Sequence, residues 1–119
     1  MGMKNVLIVD DDADTREVLQ LALGNEGFQV DMAADREAAL QMIETRCPHA
    51  ILIDYFMDGT DPATFMQRLR ECAIAVPVIL MTGAEDGSRK ARELGVPFSI
   101  TKPFTIEALT ELLGRVLKV

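Results

Sequence analysis

Apolar residues recur along this chain in short runs, and four of the runs end in polar side chains. Runs of this length are typical of buried parallel strands. The carboxyl ends of the strands in an open α/β sheet lie along one edge, where sites form. Four polar groups are therefore expected together at that edge: Asp10-Asp11-Asp12, Asp54, Thr82 and Lys102-Pro103.

Strand and helix patterns alternate five times, with strands predicted at residues 4–9, 28–33, 49–53, 76–81 and 98–101. The second and fifth strands alternate apolar and polar residues, which is typical of sheet edges, whereas the third is uniformly apolar and therefore central. Right-handed crossovers then place helices on both faces of the sheet. We predict an α/β fold of the flavodoxin-like (βα)5 type, a doubly wound parallel sheet with strand order 2-1-3-4-5.

Several predicted helices are preceded by residues whose side chains can cap the free amides of the first turn. These capping residues are Asp12, Asp35, Asp61 and Thr105, and Pro62 follows Asp61 as a first-turn proline. The inward face expected for the first helix carries Val18, Leu21 and Ala22.

Length and composition predict one domain, residues 1–119, of a globular protein. No apolar stretch reaches the ~20 residues that a membrane helix needs. The net charge of −7 argues against nucleic acid as a direct partner. Cys47 and Cys72 are expected to be reduced, buried thiols in a cytosolic protein, and His49 is expected to have a surface or strand-entry role.

Asp10, Asp11 and Asp54 would repel one another strongly at the shared edge unless a cation joined them. Ligands that are all oxygen favour a hard ion. Mg²⁺ fits best, because it accepts one or two carboxylates together with a phosphate oxygen. Asp12 is expected to act only as a helix cap.

Asp54 can also act as a nucleophile, since carboxylates form aspartyl-phosphates in covalent catalysis. Phosphoryl transfer needs mainly positioning and charge neutralisation, to which Lys102 can contribute as a second cation. Thr82 can donate its hydroxyl to a phosphoryl oxygen, and Gly83 leaves room for that oxygen. Pro103 fixes the turn after Lys102, and the bond between them is a candidate for a cis peptide.

Over nearly its whole length the chain resembles the receiver domain of bacterial two-component response regulators. The matching segments are Val6-Leu7-Ile8-Val9-Asp10-Asp11-Asp12, Ile53-Asp54-Tyr55-Phe56-Met57, Met81-Thr82-Gly83 and Lys102-Pro103-Phe104. The resemblance implies that Asp54 is the phosphoacceptor, that Asp10 and Asp11 are metal acids, and that Phe56 offers its backbone carbonyl to Mg²⁺. It further implies a switch hydroxyl at Thr82 and a phosphate partner at Lys102.

The resemblance also implies a cytoplasmic phosphoprotein whose donor is the phosphohistidine of a sensor histidine kinase or a histidine phosphotransfer protein. Such a domain is not an enzyme beyond its own phosphorylation and slow dephosphorylation. The donor is expected to dock beside Asp54 on the first helix, around residues 18–23, where Arg16 and Gln20 are expected to be exposed.

The chain departs from the family at several positions. Asp58 stands where the family usually has Pro, and Pro62 where it has Gly. Ser99 replaces the usual aromatic switch residue, while Phe98, one position away, is expected in the core because a shift of one residue reverses the face. The positions that flank the path of hydrolytic water are Phe56 and Ala84, neither of which can orient a water, so we predict slow self-dephosphorylation.

Four functional hypotheses follow. The first is a working switch in which phosphorylation shifts residues 82–103 and so alters the binding of a downstream protein. The second is a pseudo-receiver that binds proteins without phosphorylation, which Ser99 and Asp58 leave open. A flavin carrier of the same fold would lack a phosphate-binding loop after the first strand, and a phosphatase would need an acid at Phe56.

Overall fold

Five strands alternate with five helices along the chain, as the sequence predicts. The structure is a computed structural model that describes residues 3–57, 59, 61–71, 75–83 and 87–117. The elements are β1 (Asn5–Val9), α1 (Ala13–Asn25), β2 (Gln29–Ala33), α2 (Arg36–Thr45), β3 (Ala50–Asp54), α3 (Pro62–Glu71), β4 (Val78–Thr82), α4 (Gly87–Glu93), β5 (Phe98–Thr101) and α5 (Ile106–Leu117).

All neighbouring strands run parallel, and their order is β2-β1-β3-β4-β5, which confirms the predicted topology. The register pairs Val9 with Ile53, Asp54 with Met81, and Thr82 with Thr101. Because of this register, the residues at the carboxyl ends of β1, β3, β4 and β5 lie at one edge of the sheet.

The sheet is covered on both faces, so every residue of β1, β3 and β4 is buried. Alternate residues of each strand point to opposite faces. Leu7 and Val9 pack with apolar residues of α2, α3 and α4, whereas Val6 and Ile8 pack with residues of α1 and α5. This double cover explains why these three strands read as continuous apolar runs rather than alternating ones.

The predicted caps are present. Each capping side chain accepts a hydrogen bond from a backbone N–H in the first turn of its helix: Asp12 from Asp14, Asp35 from Ala38, Asp61 from Thr64 and Thr105 from Ala108. Bonding to Thr15 and Asp14 lowers the pKa of Asp12, and bonding to Thr64 lowers that of Asp61. Both side chains are exposed, in agreement with a capping role.

The face predicted for α1 is wrong. Leu19 and Leu23 are the buried residues of this helix, whereas Val18 is 60% exposed and Leu21 is 70% exposed. Apolar residues occupy several adjacent positions of α1, so the pattern permits more than one inward face. Packing of α1 beside α5 selects the face that carries Leu19 and Leu23.

The cysteine prediction fails at one position, because Cys47 is exposed in the connection between α2 and β3. Cys72 lies outside the described residues. His49 is exposed at the entry to β3, where its Nδ1 accepts a hydrogen bond of 2.9 Å from the backbone N–H of Asn5. Within the described part of the chain, no helix is long and apolar enough to cross a membrane.

A pair of substitutions on α1 tests its inward face. Leu23→Ala should lower the free energy of unfolding by about 2–5 kcal/mol, because it removes a fully buried side chain and leaves a cavity. Leu21→Ala should change it by less than about 0.5 kcal/mol, because that side chain is exposed. Urea denaturation of both variants checks this, and equal losses would contradict the assignment.

Candidate functional site

Three carboxylates meet at the carboxyl edge of the sheet. Asp10 directly follows β1, Asp54 ends β3, and one oxygen from each of Asp10, Asp11 and Asp54 lies within 4.8 Å of the others. Asp10 and Asp54 are buried, whereas Asp11 is exposed. The strand ends thus bring together the acids that the sequence predicts at this edge.

Lys102 places its ammonium between two of these acids. Its Nζ lies 3.0 Å from Oδ2 of Asp10 and 3.6 Å from Oδ2 of Asp54. The backbone N–H of Lys102 donates to the carbonyl of Thr82, and the Lys102–Pro103 peptide bond is cis. Burial alone would lower the pKa of Lys102, but the hydrogen bond and charge of Asp10, together with Asp54, raise it above its ordinary value. Lys102 is therefore held as a cation.

The carboxyl group of Asp54 is placed under opposing influences. Burial raises its pKa above the ordinary value, while the Lys102 ammonium and a hydrogen bond of 3.3 Å from the backbone N–H of Phe56 act in the opposite direction. Burial prevails, so this carboxylate is less stable when ionised than an exposed one. A second cation near Asp54 would relieve that cost.

The hydroxyl of Thr82 lies at the end of β4 without a hydrogen-bond partner among the described residues. Its Oγ1 is buried, and the whole residue is inaccessible to solvent. Buried hydroxyls in folded proteins are usually paired, so an unpaired one at the end of a strand that leads to this edge is a candidate donor to a ligand oxygen. A Cβ built at Gly83 would have no neighbour within 4 Å, so packing among these residues does not itself require glycine there.

In β5, beside Thr82, the position at which the family usually has an aromatic side chain is Ser99. Ser99 is half-buried and pairs with Leu80. Phe98 is also half-buried and packs against the core on the α1 and α5 side, in agreement with the prediction. Ala84 and Asp58 lie outside the described residues, so their predicted roles stay predictions.

The loop after β3 presents aromatic side chains to α4. The rings of Tyr55 and Phe56 meet edge to face at 5.1 Å, and Phe56 is 52% exposed. Nζ of Lys90, in α4, lies 4.5 Å from the Tyr55 ring centre and 4.7 Å from that of Phe56. Sequence reasoning missed Lys90, because no local pattern signals a cation–π contact between distant segments.

Sequence reasoning also missed Arg36, a buried guanidinium behind the same loop. A signal was present, because Arg36 is the first residue of α2, where the helix dipole disfavours a cation. A basic residue in that position indicates a specific partner. The prediction for Arg16 needs correction as well. This side chain is half-buried, and its Nη1 donates to the carbonyl of Asp10 at 2.7 Å, whereas Gln20 is exposed.

These groups suit a hard divalent cation and an anionic oxygen ligand. The three acids offer only oxygen atoms, which match Mg²⁺. Lys102 and the unpaired hydroxyl of Thr82 offer donors to a further oxygen at the same edge. The site could therefore hold a metal ion together with an anionic group.

Comparison with known proteins identifies the family. The profile of the response regulator receiver domain matches residues 6–114, so the chain belongs to this family. The five-stranded sheet in order 2-1-3-4-5 is the receiver fold. This membership groups the chain with receiver domains rather than with flavin carriers or phosphatases.

Relatives and solved structures agree with the assignment. The phosphate regulon transcriptional regulatory protein PhoB of Pseudomonas aeruginosa is 35% identical over 97% of this chain and 52% of its own length. The response regulator MprA of Mycolicibacterium vanbaalenii is 32% identical over 92% of this chain and 47% of its own. This chain therefore spans about half the length of these curated relatives.

The chemotaxis protein CheY4 of Vibrio cholerae has a solved structure similar to this one. Its TM-score is 0.88 at 27% identity, over 98% of this chain and 100% of the other. The likeness covers the whole sheet and its helices.

The Asp54→Asn substitution tests the electrostatic cost of the site. Without divalent cations at neutral pH, it should raise the free energy of unfolding by about 0.5–2 kcal/mol, the usual gain from a stabilising substitution. Because the folded pKa of Asp54 is raised, wild type loses stability as the pH rises from the ordinary carboxyl value of 3.8 through that pKa. The advantage of the variant should disappear below pH 3.8.

Urea denaturation of wild type and Asp54→Asn over a pH series measures this difference. Glu26→Gln, an exposed acid at the end of α1, serves as a control and should show no comparable gain. A variant no more stable than wild type at neutral pH would contradict the prediction.

Proposed function

We propose that this domain is a phosphorylation switch in which Asp54 accepts a phosphoryl group from a phosphohistidine with the assistance of Mg²⁺. The observation that carries the proposal is the meeting of the three acids with Lys102 and the unpaired Thr82 hydroxyl at one edge. Membership of the receiver family supports it.

In the transfer, one carboxylate oxygen of Asp54 attacks phosphorus. An O–P bond forms while the N–P bond of the phosphohistidine breaks, and its electron pair remains on the imidazole nitrogen. Asp10, Asp11, Asp54 and the Phe56 carbonyl would hold Mg²⁺, which when bound supplies charge neutralisation for the phosphoryl oxygens. Lys102 would neutralise further charge on the phosphoryl group, and Thr82 would donate its hydroxyl to a phosphoryl oxygen.

The domain acts on itself and is not an enzyme toward other molecules. Phe56 offers only an aromatic ring beside the acceptor, and the Lys90 ammonium lies 4.7 Å from the centre of that ring. Neither group is a base that could take a proton from water. We therefore propose that hydrolysis of the phosphoryl group is slow.

The phosphodonor, a sensor histidine kinase or a histidine phosphotransfer protein, docks on α1 in this proposal. The exposed side chains of Val18 and Leu21 offer apolar contact. Val18 also lines a groove of about 480 Å³ that reaches Lys102 and Ile106 of α5. A helix carrying the phosphohistidine could thus lie against α1 with its phosphoryl group near Asp54. Phosphoryl transfer from such a donor implies, in this proposal, a domain located in the cytoplasm.

Phosphorylation alters the binding of a downstream protein through residues 82–103. Movement of Thr82 toward the phosphoryl group would act on α4 and β5, which follow it. Ser99 has no ring to transmit this movement. The contact of Lys90 with the Tyr55 and Phe56 rings instead links α4 directly to the acceptor loop. The net charge of −7 argues against direct contact of this domain with nucleic acid.

Incubation with acetyl phosphate and Mg²⁺, followed by intact mass spectrometry, tests the chemistry. Wild type should gain one phosphoryl group in the presence of Mg²⁺ and none after chelation, because the acids repel an anionic donor without the cation. Asp54→Asn should gain none. If folded wild type gains no phosphoryl group with Mg²⁺, the domain is better described as a pseudo-receiver.

The Phe56→Asn substitution tests the stability of the phosphoryl group. An amide at this position can orient an attacking water through one hydrogen bond, which is worth about 0.5–1.5 kcal/mol, so the phosphoryl lifetime should shorten by up to about tenfold. Loss of the label from phosphorylated protein after removal of the donor measures the lifetime. Phe56→Leu, which remains apolar, is the control. An equal or longer lifetime in Phe56→Asn would contradict the prediction.

A further inference from the structure

Arg36 is the bulkiest of the fully buried side chains, with only 1% of its surface exposed. It is the first residue of α2, where the positive end of the helix dipole repels a cation. A buried guanidinium is costly unless its donors are paired. The helix dipole and burial therefore both disfavour a cation at this position. Hydrogen-bond partners of the guanidinium must offset that cost.

Among the described residues, those partners include backbone carbonyls of the acceptor and of the loop that follows it. Nη2 of Arg36 donates to the carbonyl of Asp54 at 3.3 Å and to that of Tyr55 at 2.8 Å. Nη1 donates to the carbonyl of Met57 at 3.2 Å. These bonds hold backbone carbonyls before and after Phe56, and none of the three is made to the Phe56 carbonyl itself.

A second bond restrains the same residue from the side of the site. The backbone N–H of Phe56 donates to the Asp54 carboxylate at 3.3 Å. The peptide unit before Phe56 is thus tied at both ends, through its carbonyl to Arg36 and through its N–H to the Asp54 carboxylate, and the Met57 carbonyl is tied to Arg36 as well. The peptide unit between Phe56 and Met57, which carries the Phe56 carbonyl, lies between these two held points, so its orientation depends on them.

We propose that Arg36 is a positioning residue that orients the Phe56 carbonyl toward the carboxylates and so prepares the site for Mg²⁺. The inference rests on the proposed function only for the identity of the ion and the role of that carbonyl. Arg36 itself touches neither the ion nor the phosphoryl group. It acts on them through the backbone of residues 54–57.

The chemistry of the guanidinium explains why arginine serves here. Its planar fork carries five N–H donors in fixed directions, which allows two nitrogens to hold three carbonyls at once. Burial lowers the pKa of Arg36 and the charge of Asp54 opposes that shift, but a guanidinium keeps its proton in proteins. The guanidinium consequently donates hydrogen bonds whether Asp54 is charged or neutral. A lysine ammonium, as a compact charge on a flexible stem, could not span the same carbonyls.

Isothermal titration calorimetry with Mg²⁺ on folded wild type, Arg36→Lys and Arg36→Gln tests the proposal. Both variants should bind Mg²⁺ about tenfold more weakly, the size of effect seen when a residue that supports a metal ligand is lost. Arg36→Lys preserves the charge and serves as the variant that folds if Arg36→Gln does not.

Ile43→Ala is the matched control, because it removes from the same helix a buried apolar side chain that cannot donate a hydrogen bond to the loop. It should lower the unfolding temperature as the Arg36 variants do but leave the Mg²⁺ dissociation constant unchanged. Equal weakening of Mg²⁺ binding in Ile43→Ala would show a general loss of stability and overturn the proposal. The proposal would also be overturned if Arg36→Lys alone, or both Arg36 variants, bound Mg²⁺ with the dissociation constant of wild type.

Phosphorylation of the same proteins by acetyl phosphate separates this inference from the proposed function. If wild type binds Mg²⁺ more tightly than the Arg36 variants but takes no phosphoryl group, the positioning role holds and the proposed function fails. If wild type takes the phosphoryl group and the variants bind Mg²⁺ as it does, the proposed function holds and the positioning role fails.

Discussion

Repulsion among carboxylates at one edge of the sheet is the constraint on which the rest of this structure depends. Asp10 and Asp54 are both buried there, with Asp11 beside them, and the Lys102 ammonium lies within 3.0 and 3.6 Å of the first two. Burial, aided by the charge of Asp10, outweighs the Lys102 ammonium and keeps the pKa of Asp54 raised. A further cation at this edge would reduce the repulsion among the acids and favour the ionised form of Asp54.

The cost of gathering these charged groups is offset by the stability of the strands that carry them. Asp54 and Thr82 end strands that are covered by helices on both faces, so neither strand can slip without exposing its apolar side chains. The helix caps Asp12 and Asp61 use carboxylates next to the site for structure rather than chemistry. Two basic side chains hold the start of the loop after β3, because Arg36 donates to the Tyr55 carbonyl and Lys90 lies over the Phe56 ring.

Much of the fold and of the site can be predicted from the sequence. Strands that are buried on both faces appear in it as continuous apolar runs, and polar residues follow directly where each strand ends. The strand order, the caps and the meeting of Asp10, Asp54 and Lys102 all follow from that pattern and from the geometry of parallel sheets. The inward face of α1 was not readable, since Val18 and Leu21 are as apolar as the buried Leu23. Cys47 was misjudged for a related reason, because residue type alone does not report whether a connection lies at the surface.

The sequence by itself determined which groups reach the edge of the sheet, because the ends of parallel strands are fixed by local periodicity and by chain topology. Only the tertiary structure decided how those groups are supported. The contact of Arg36 with the carbonyls of the acceptor loop joins residues about 20 positions apart, and that of Lys90 with Phe56 joins residues more than 30 apart. Contacts of this kind depend on how helices pack on the sheet, and no periodicity of a single chain segment encodes them.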